Sequence, residues 1–142
     1  MKIKLLFLTV LASFFLYSCE KKADKYSDCT DYDYEECDTV EPHFGDVNLN
    51  ITVNDENSNV RVLVIEGNYE SGDIIYDDSM STLNKTYYLP VNKHYSAAAY
   101  YVRNNDTIIA VDGGFLEAYS YKRCDYTCYD VLSLNLDLRL SE

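Results

Sequence analysis

Near its C-terminus the chain places leucine at every second position: Leu132, Leu134, Leu136, Leu138 and Leu140. A helix needs apolar side chains three and four residues apart. Leu is a good helix former, but an unbroken period of two outweighs that preference and predicts a strand over 131–140. The same period opens the folded part, where Val47, Leu49, Ile51 and Val53 alternate with Asn48, Asn50, Thr52 and Asn54. That pattern describes a strand with one face buried and one face wet.

Other segments fit the same frame. Residues 60–66 are almost wholly apolar, which suits a central strand covered on both faces. A short strand is expected over 72–76, a polar loop over 77–82, and a strand over 85–89 stopped by Pro90. Over 95–103, Tyr95, Ala97, Ala99 and Tyr101 share one face. The Asn104-Asn105-Asp106 turn then returns the chain into 107–111 as a hairpin. Asp112-Gly113-Gly114 is expected to break that strand, with another over 115–121 and a loop over 124–128. Beyond the first residues no helical periodicity of useful length occurs. Seven to eight short strands divided by turn residues predict an all-β chain, an antiparallel β-sandwich rather than a parallel α/β sheet.

With 142 residues the chain suffices for one folded domain. Its 24 acidic against 12 basic residues give a formal charge of −12, which repels phosphate backbones and argues against a nucleic-acid partner.

The start of the chain has its own grammar. Lys2 and Lys4 precede an apolar run from Leu5 to Leu16 broken only by Thr9 and Ser13, too short to cross a bilayer and typical of a secretory signal. The run ends in Leu16-Tyr17-Ser18-Cys19, which resembles a bacterial lipobox. The resemblance implies cleavage before Cys19, acylation of that residue and a lipid anchor in the membrane; more than one acyl chain, at ~0.8 kcal/mol per buried methylene, gives stable attachment. Removing a signal with two lysines and no acid takes the charge from −12 to −14. By resemblance to bacterial sorting rules, Glu20 after Cys19 favours the outer membrane of the cell envelope. Lys21-Lys22-Ala23-Asp24 matches only part of the acidic export signal of Bacteroidota surface lipoproteins, which leaves surface exposure open. The expected organisation is a signal peptide over 1–18, an acidic tether with a cysteine-containing loop over 19–45, and the β-sandwich over 46–142.

Five cysteines are an odd set. Assigning Cys19 to lipid leaves Cys29, Cys37, Cys124 and Cys128, an even set in an exported chain, so two disulfides are expected. Three connectivities are open, and at least one long-range bridge is favoured because the acidic N-terminal segment has few other means of being held. A four-thiolate zinc site is disfavoured by the spacing within each pair and by export.

Two resemblances narrow the fold. Leu89-Pro90-Val91-Asn92-Lys93-His94-Tyr95-Ser96-Ala97 resembles the strand-to-strand corner of fibronectin type III and other immunoglobulin-like domains, which implies that the Tyr95 hydroxyl bonds back to the corner backbone. The strings YSAAAYY, TIIAVDGG, CDYTC and LNLDLRL resemble the C-terminal half of small Bacteroidota lipoproteins of unassigned function; this resemblance implies envelope localisation and carries no catalytic residue.

The chain has no GxSxG, HExxH, P-loop or GxGxxG motif, and of its histidines His43 falls in an expected loop after Pro42 and His94 in an expected turn before Tyr95. These features point to a non-enzymatic protein without a cofactor. A small hydrolase using a carboxylate pair is the least favoured alternative. Asp28, Asp31, Asp33, Glu35 and Asp38 cluster, and Asp77 adjoins Asp78, but neither group has EF-hand spacing and both read as solvated acid rather than a calcium site. Tyr26, Tyr32 and Tyr34, with Tyr119, Tyr121, Tyr126 and Tyr129, lie near the two cysteine clusters and suit a glycan or protein partner. Asp38-Thr39-Val40, Asp78-Ser79-Met80 and Asp106-Thr107-Ile108 resemble the O-glycosylation sequence of Bacteroidota, making Thr39, Ser79 and Thr107 candidate acceptors in expected loops. The expected role is binding or structural, with a carbohydrate- or substrate-binding accessory module for polymer uptake as the alternative.

Overall fold

The computed structural model describes residue 29 and residues 37–140. The chain divides into Met1–Tyr34 and Glu35–Glu142, and everything below except Cys29 belongs to the second unit. The signal, Cys19, the acids Asp28, Asp31, Asp33 and Glu35, and Tyr26, Tyr32 and Tyr34 lie outside the described residues.

The described residues are all β. Nine strands follow in order: β1 (Phe44–Asn50), β2 (Val60–Glu66), β3 (Asp73–Met80), β4 (Asn84–Pro90), β5 (Lys93–Arg103), β6 (Asp106–Leu116), β7 (Ala118–Arg123), β8 (Tyr126–Val131) and β9 (Leu134–Asp137). They form a three-stranded sheet ordered β4-β1-β9, a four-stranded sheet ordered β3-β2-β5-β6, and the β7-β8 hairpin. All pairings are antiparallel except β1 with β9, which is parallel.

The two larger sheets bury one face each against the other. Val47 and Leu49 of β1, with Ile51 just beyond it, Leu89 of β4, and Leu136 and Leu138 at the C-terminal end meet Val60, Val62 and Val64 of β2 and the face of β5 carrying Tyr95, Ala97, Ala99 and Tyr101. Between two tyrosines the alanines leave room for both rings, and each phenol reaches backbone near the opposite sheet. Tyr95 donates to the Pro90 carbonyl at 2.7 Å. Tyr101 donates to the Leu138 carbonyl at 2.7 Å and accepts from the Thr52 amide at 3.0 Å. Burial pushes the ionisation of both phenols up.

As the apolar run implies, β2 is covered on both faces: Leu63 and Ile65, which point away from the core, are only 6% and 2% exposed. On this outer face the hydroxyl of Tyr69, in the β2–β3 connection, lies 3.4 Å from that of Tyr100. The β5–β6 hairpin closes on Asn104 and Asn105 with φ of 55° and 66°, the left-handed pair that a two-residue turn requires.

Four expectations are corrected. Residues 77–80 belong to β3 rather than a loop, because Asp77 and Asp78 sit on an edge strand where Arg61 and Lys85 partner their carboxylates. Gly113 and Gly114 do not break β6, which runs on to Leu116; a side chain at Gly114 would meet Leu134 Cδ1 at 2.7 Å, so glycine serves close approach here. Residues 124–128 are not a loop: only Cys124 and Asp125 turn, with Cys124 at φ 51°, and Cys128 is buried in β8. Of the alternating leucines, β9 takes Leu134 and Leu136, Leu138 continues into the core, and Leu132 is 69% exposed before the strand begins.

Cys37 and Cys128 form a disulfide across 91 residues of sequence, with Cα atoms 5.1 Å apart. Cys29 and Cys124 are disulfide-bonded as well, so no described cysteine offers a thiolate to zinc. Beside the bridge, the Tyr129 amide donates to the Asp38 carbonyl at 2.8 Å, which ties the entry segment to β8.

Candidate binding face of the three-stranded sheet

Because β1 alternates, its asparagines all face away from the core, and the neighbouring strands extend that polar row. Thr86 of β4 stands opposite Asn48, and Asn48 stands opposite Asn135 of β9. The Thr86 hydroxyl donates to Asn48 Oδ1 at 2.7 Å, and the Asn48 amide donates to Asn135 Oδ1 at 3.1 Å. A second row places Asn50 between Asn84 and Asp137.

At one end of the polar rows the face turns aromatic. Tyr88 pairs with Asp46, and its ring stacks on Phe44 with centroids 5.4 Å apart and planes 22° from parallel. Both rings stay open to solvent, 68% for Tyr88 and 45% for Phe44. A shallow groove of about 270 Å³ runs beside them, lined by Asp38, Asp46, Tyr129, Asp130 and Ser133 among others. On the neighbouring hairpin the Tyr119 hydroxyl donates to Asp130 at 3.1 Å, which raises the pKa of that phenol.

The arrangement offers flat apolar rings, amide and hydroxyl groups that both donate and accept, and carboxylates that accept. Such a surface suits a polyhydroxylated ligand lying along it. At the opposite end Asp137 takes two hydrogen bonds from the Arg139 side chain, both 2.7 Å, and Arg139 holds its carboxyl down at about 2.

The other candidates are dispersed. Asp77 is held below the usual carboxylate range by Arg61, and Asp78 by Lys85 and Tyr87. With Asp137, the three carboxylates shifted among the described residues all move down, away from what a general acid needs. Among the described residues no group of three or more His, Cys, Asp or Glu is arranged to hold a metal. His94 lies in β5 rather than a turn, with Nδ1 3.2 Å from the Gly67 carbonyl, and His43 is exposed.

Thr39 is exposed before β1, in a turn where Asp38 Oδ1 accepts from the Val40 amide. Ser79 and Thr107 are exposed but sit in β3 and β6 rather than in loops. The Ser79 hydroxyl donates to Asn59 at 2.6 Å. Of the tyrosines noted in the sequence, Tyr129 lines the groove and Tyr119 and Tyr121 pack together, with centroids 6.1 Å apart. Phe44, Tyr88, Asn135 and Thr86 escape sequence reading because only strand register makes them neighbours; the asparagine face of β1 was the available signal. No family model, curated protein or solved structure matches this chain.

Proposed function

We propose that this chain is a lipid-anchored envelope protein, attached through Cys19 to the outer membrane, whose β-sandwich binds a neutral glycan without catalysing a reaction. The observation that carries the ligand class is the open Phe44–Tyr88 pair continuous with the Thr86–Asn48–Asn135 row. Sugar rings present apolar faces for the aromatic pair and hydroxyls for the amides. The carboxylates of Asp38, Asp46 and Asp130 around the groove disfavour acidic polysaccharides, which leaves neutral sugars as the better match. The lipobox resemblance at Leu16 to Cys19 supports the anchor, and disulfides support an oxidising compartment.

The immunoglobulin-like reading draws support from the strand order. In that scheme β1 and β4 take the places of strands B and E, and β3, β2, β5 and β6 take those of C′, C, F and G, with Tyr95 at the E–F corner. The strand beside β1 is then β9, arriving from the C-terminus and running parallel.

Titration calorimetry of the full chain in detergent against neutral oligosaccharides tests the ligand class. Saturable binding that falls about tenfold in Tyr88→Ala and Asn48→Ala is expected. Binding indifferent to both substitutions, or confined to acidic glycans, overturns the reading. For the anchor, Cys19→Ala is expected to release the protein from the membrane fraction; continued membrane association overturns lipidation.

A further inference from the structure

We propose that the edge of β6 over residues 107–111, which pairs with no further strand among the described residues, accepts an extended segment of a partner protein, uncharged in its middle and basic at both ends, which adds a strand to the four-stranded sheet. A strand at a sheet edge exposes unpaired backbone groups, and proteins guard such edges with charge, proline, bulges or brevity. In the two sheets of the sandwich three edges carry a guard. β3 is bulged opposite Val64 and Ile65 and carries Asp73, Asp77 and Asp78. β4 ends in Pro90, and β9 is four residues long.

The β6 edge is guarded only in part. Asp112 caps it, with Oδ1 accepting from the Gly113 amide and Oδ2 from the Asp137 amide, both at 2.8 Å. Before that cap the strand reads Thr107-Ile108-Ile109-Ala110-Val111, with no charge, glycine or proline. Its register against β5 is continuous. Because Arg103 and Asp106 bracket a two-residue turn, they form a hydrogen-bonded pair, and alternate pairs follow suit. Ile108 and Ala110 therefore spend their backbone groups on β5, while Thr107, Ile109 and Val111 turn theirs outward. Val102 bears out this phase: its own backbone groups point the other way, to Asn57. Ile109 and Val111 also leave their side chains 44% and 45% exposed on the outer face.

The flanking charges choose the occupant. Strand addition by a second copy, antiparallel about Ile109, would set Asp106 against the other copy's Asp112 at both ends, between chains of charge −12 each. A partner segment with Lys or Arg at those positions meets the same two aspartates with opposite charge, and main-chain bonds supply the rest.

The test uses the full-length chain in detergent and two fluorescent heptapeptides, Lys-Val-Thr-Val-Thr-Val-Lys and its Glu-ended counterpart, followed by anisotropy. The basic-ended peptide should bind more tightly, lose affinity as salt rises, and bind about tenfold more weakly to Ile109→Lys. Ile109→Val should retain binding, and Thr107→Lys serves as the second edge variant should Ile109→Lys fail to fold. Equal binding of both peptides, absence of binding, or indifference to the edge variants overturns the proposal. So does sedimentation showing a dimer that tightens with salt and is abolished by the edge variants without any peptide bound, which would give the edge to a second copy.

Discussion

The buried side chain of Asn57 replaces a missing strand for Val102: its Oδ1 accepts from the Val102 amide at 2.7 Å and its Nδ2 donates to the Val102 carbonyl at 3.0 Å. β2 stops pairing at Arg61 opposite Tyr100, so β5 runs on past its neighbour, and one amide completes the ladder on that side. Asn57 is itself held by Asn54, whose Oδ1 accepts from the Asn57 amide at 2.8 Å.

Asn57→Ala leaves both backbone groups of Val102 without their partner. The expected loss is about 2–6 kcal/mol, since each orphaned polar group costs about 1–3 kcal/mol. Urea unfolding measures the loss, and faster hydrogen exchange at the Val102 amide shows where it arises.

Tyr95→Phe keeps the ring in the core and removes only the bond to Pro90. A loss of about 1.5 kcal/mol is expected, with an unchanged denaturant slope because the buried surface is kept. Tyr95→Ala, which also empties the space beside Ala97, should cost about 3–5 kcal/mol.

Replacing Cys37 and Cys128 together by alanine frees a loop spanned by a sequence separation of 91. In the chain-entropy account that removes up to about 4.5 kcal/mol by enlarging the unfolded ensemble. The expected signature in a thermal scan is a lowered midpoint, with the backbone circular dichroism of the folded state unchanged.

Stability should fall at both extremes of pH. Asp77, Asp78 and Asp137 have folded pKa values below their unfolded ones, so their contribution is complete above about pH 4 and is lost as pH drops through the folded values, reached near 2 for Asp137. Tyr87, Tyr95 and Tyr101 behave oppositely: burial raises their folded pKa, so their contribution is complete below about pH 10 and is lost as pH climbs through the raised values. Denaturant midpoints across pH check both limbs, and Asp137→Asn should flatten the lowest part of the acid limb.

The legible parts of the fold are those where one face is buried and the other wet. The alternation from Val47 to Ile51 and the Tyr95, Ala97, Ala99, Tyr101 face reproduce the core directly. What hid was set by contacts distant in sequence. Asp77 and Asp78 look like loop residues until Arg61 and Lys85 stand beside them. Gly113 and Gly114 look like breakers until Ser96 and Leu134 press against them. Ser96 and Ala98, off the core-facing side of β5, are also buried, at 3% and 0% exposure. Nothing in the local pattern announces that burial. The candidate binding face was half visible, because β1 shows its asparagines in order while Tyr88 and Phe44 become a pair only through the β1–β4 register.

The Cys37–Cys128 bridge also sets the route of mechanical force through the molecule. A pull that reaches Cys37 crosses to β8 through sulfur before it can load Phe44, bypassing the span between residues 37 and 128. β1, which joins β4 to β9 at the centre of its sheet, is thereby relieved of the load. The crosslink leaves no slack between residues 37 and 128 for a pull to draw out, so the sandwich is slung from its hairpin rather than unzipped from its first strand.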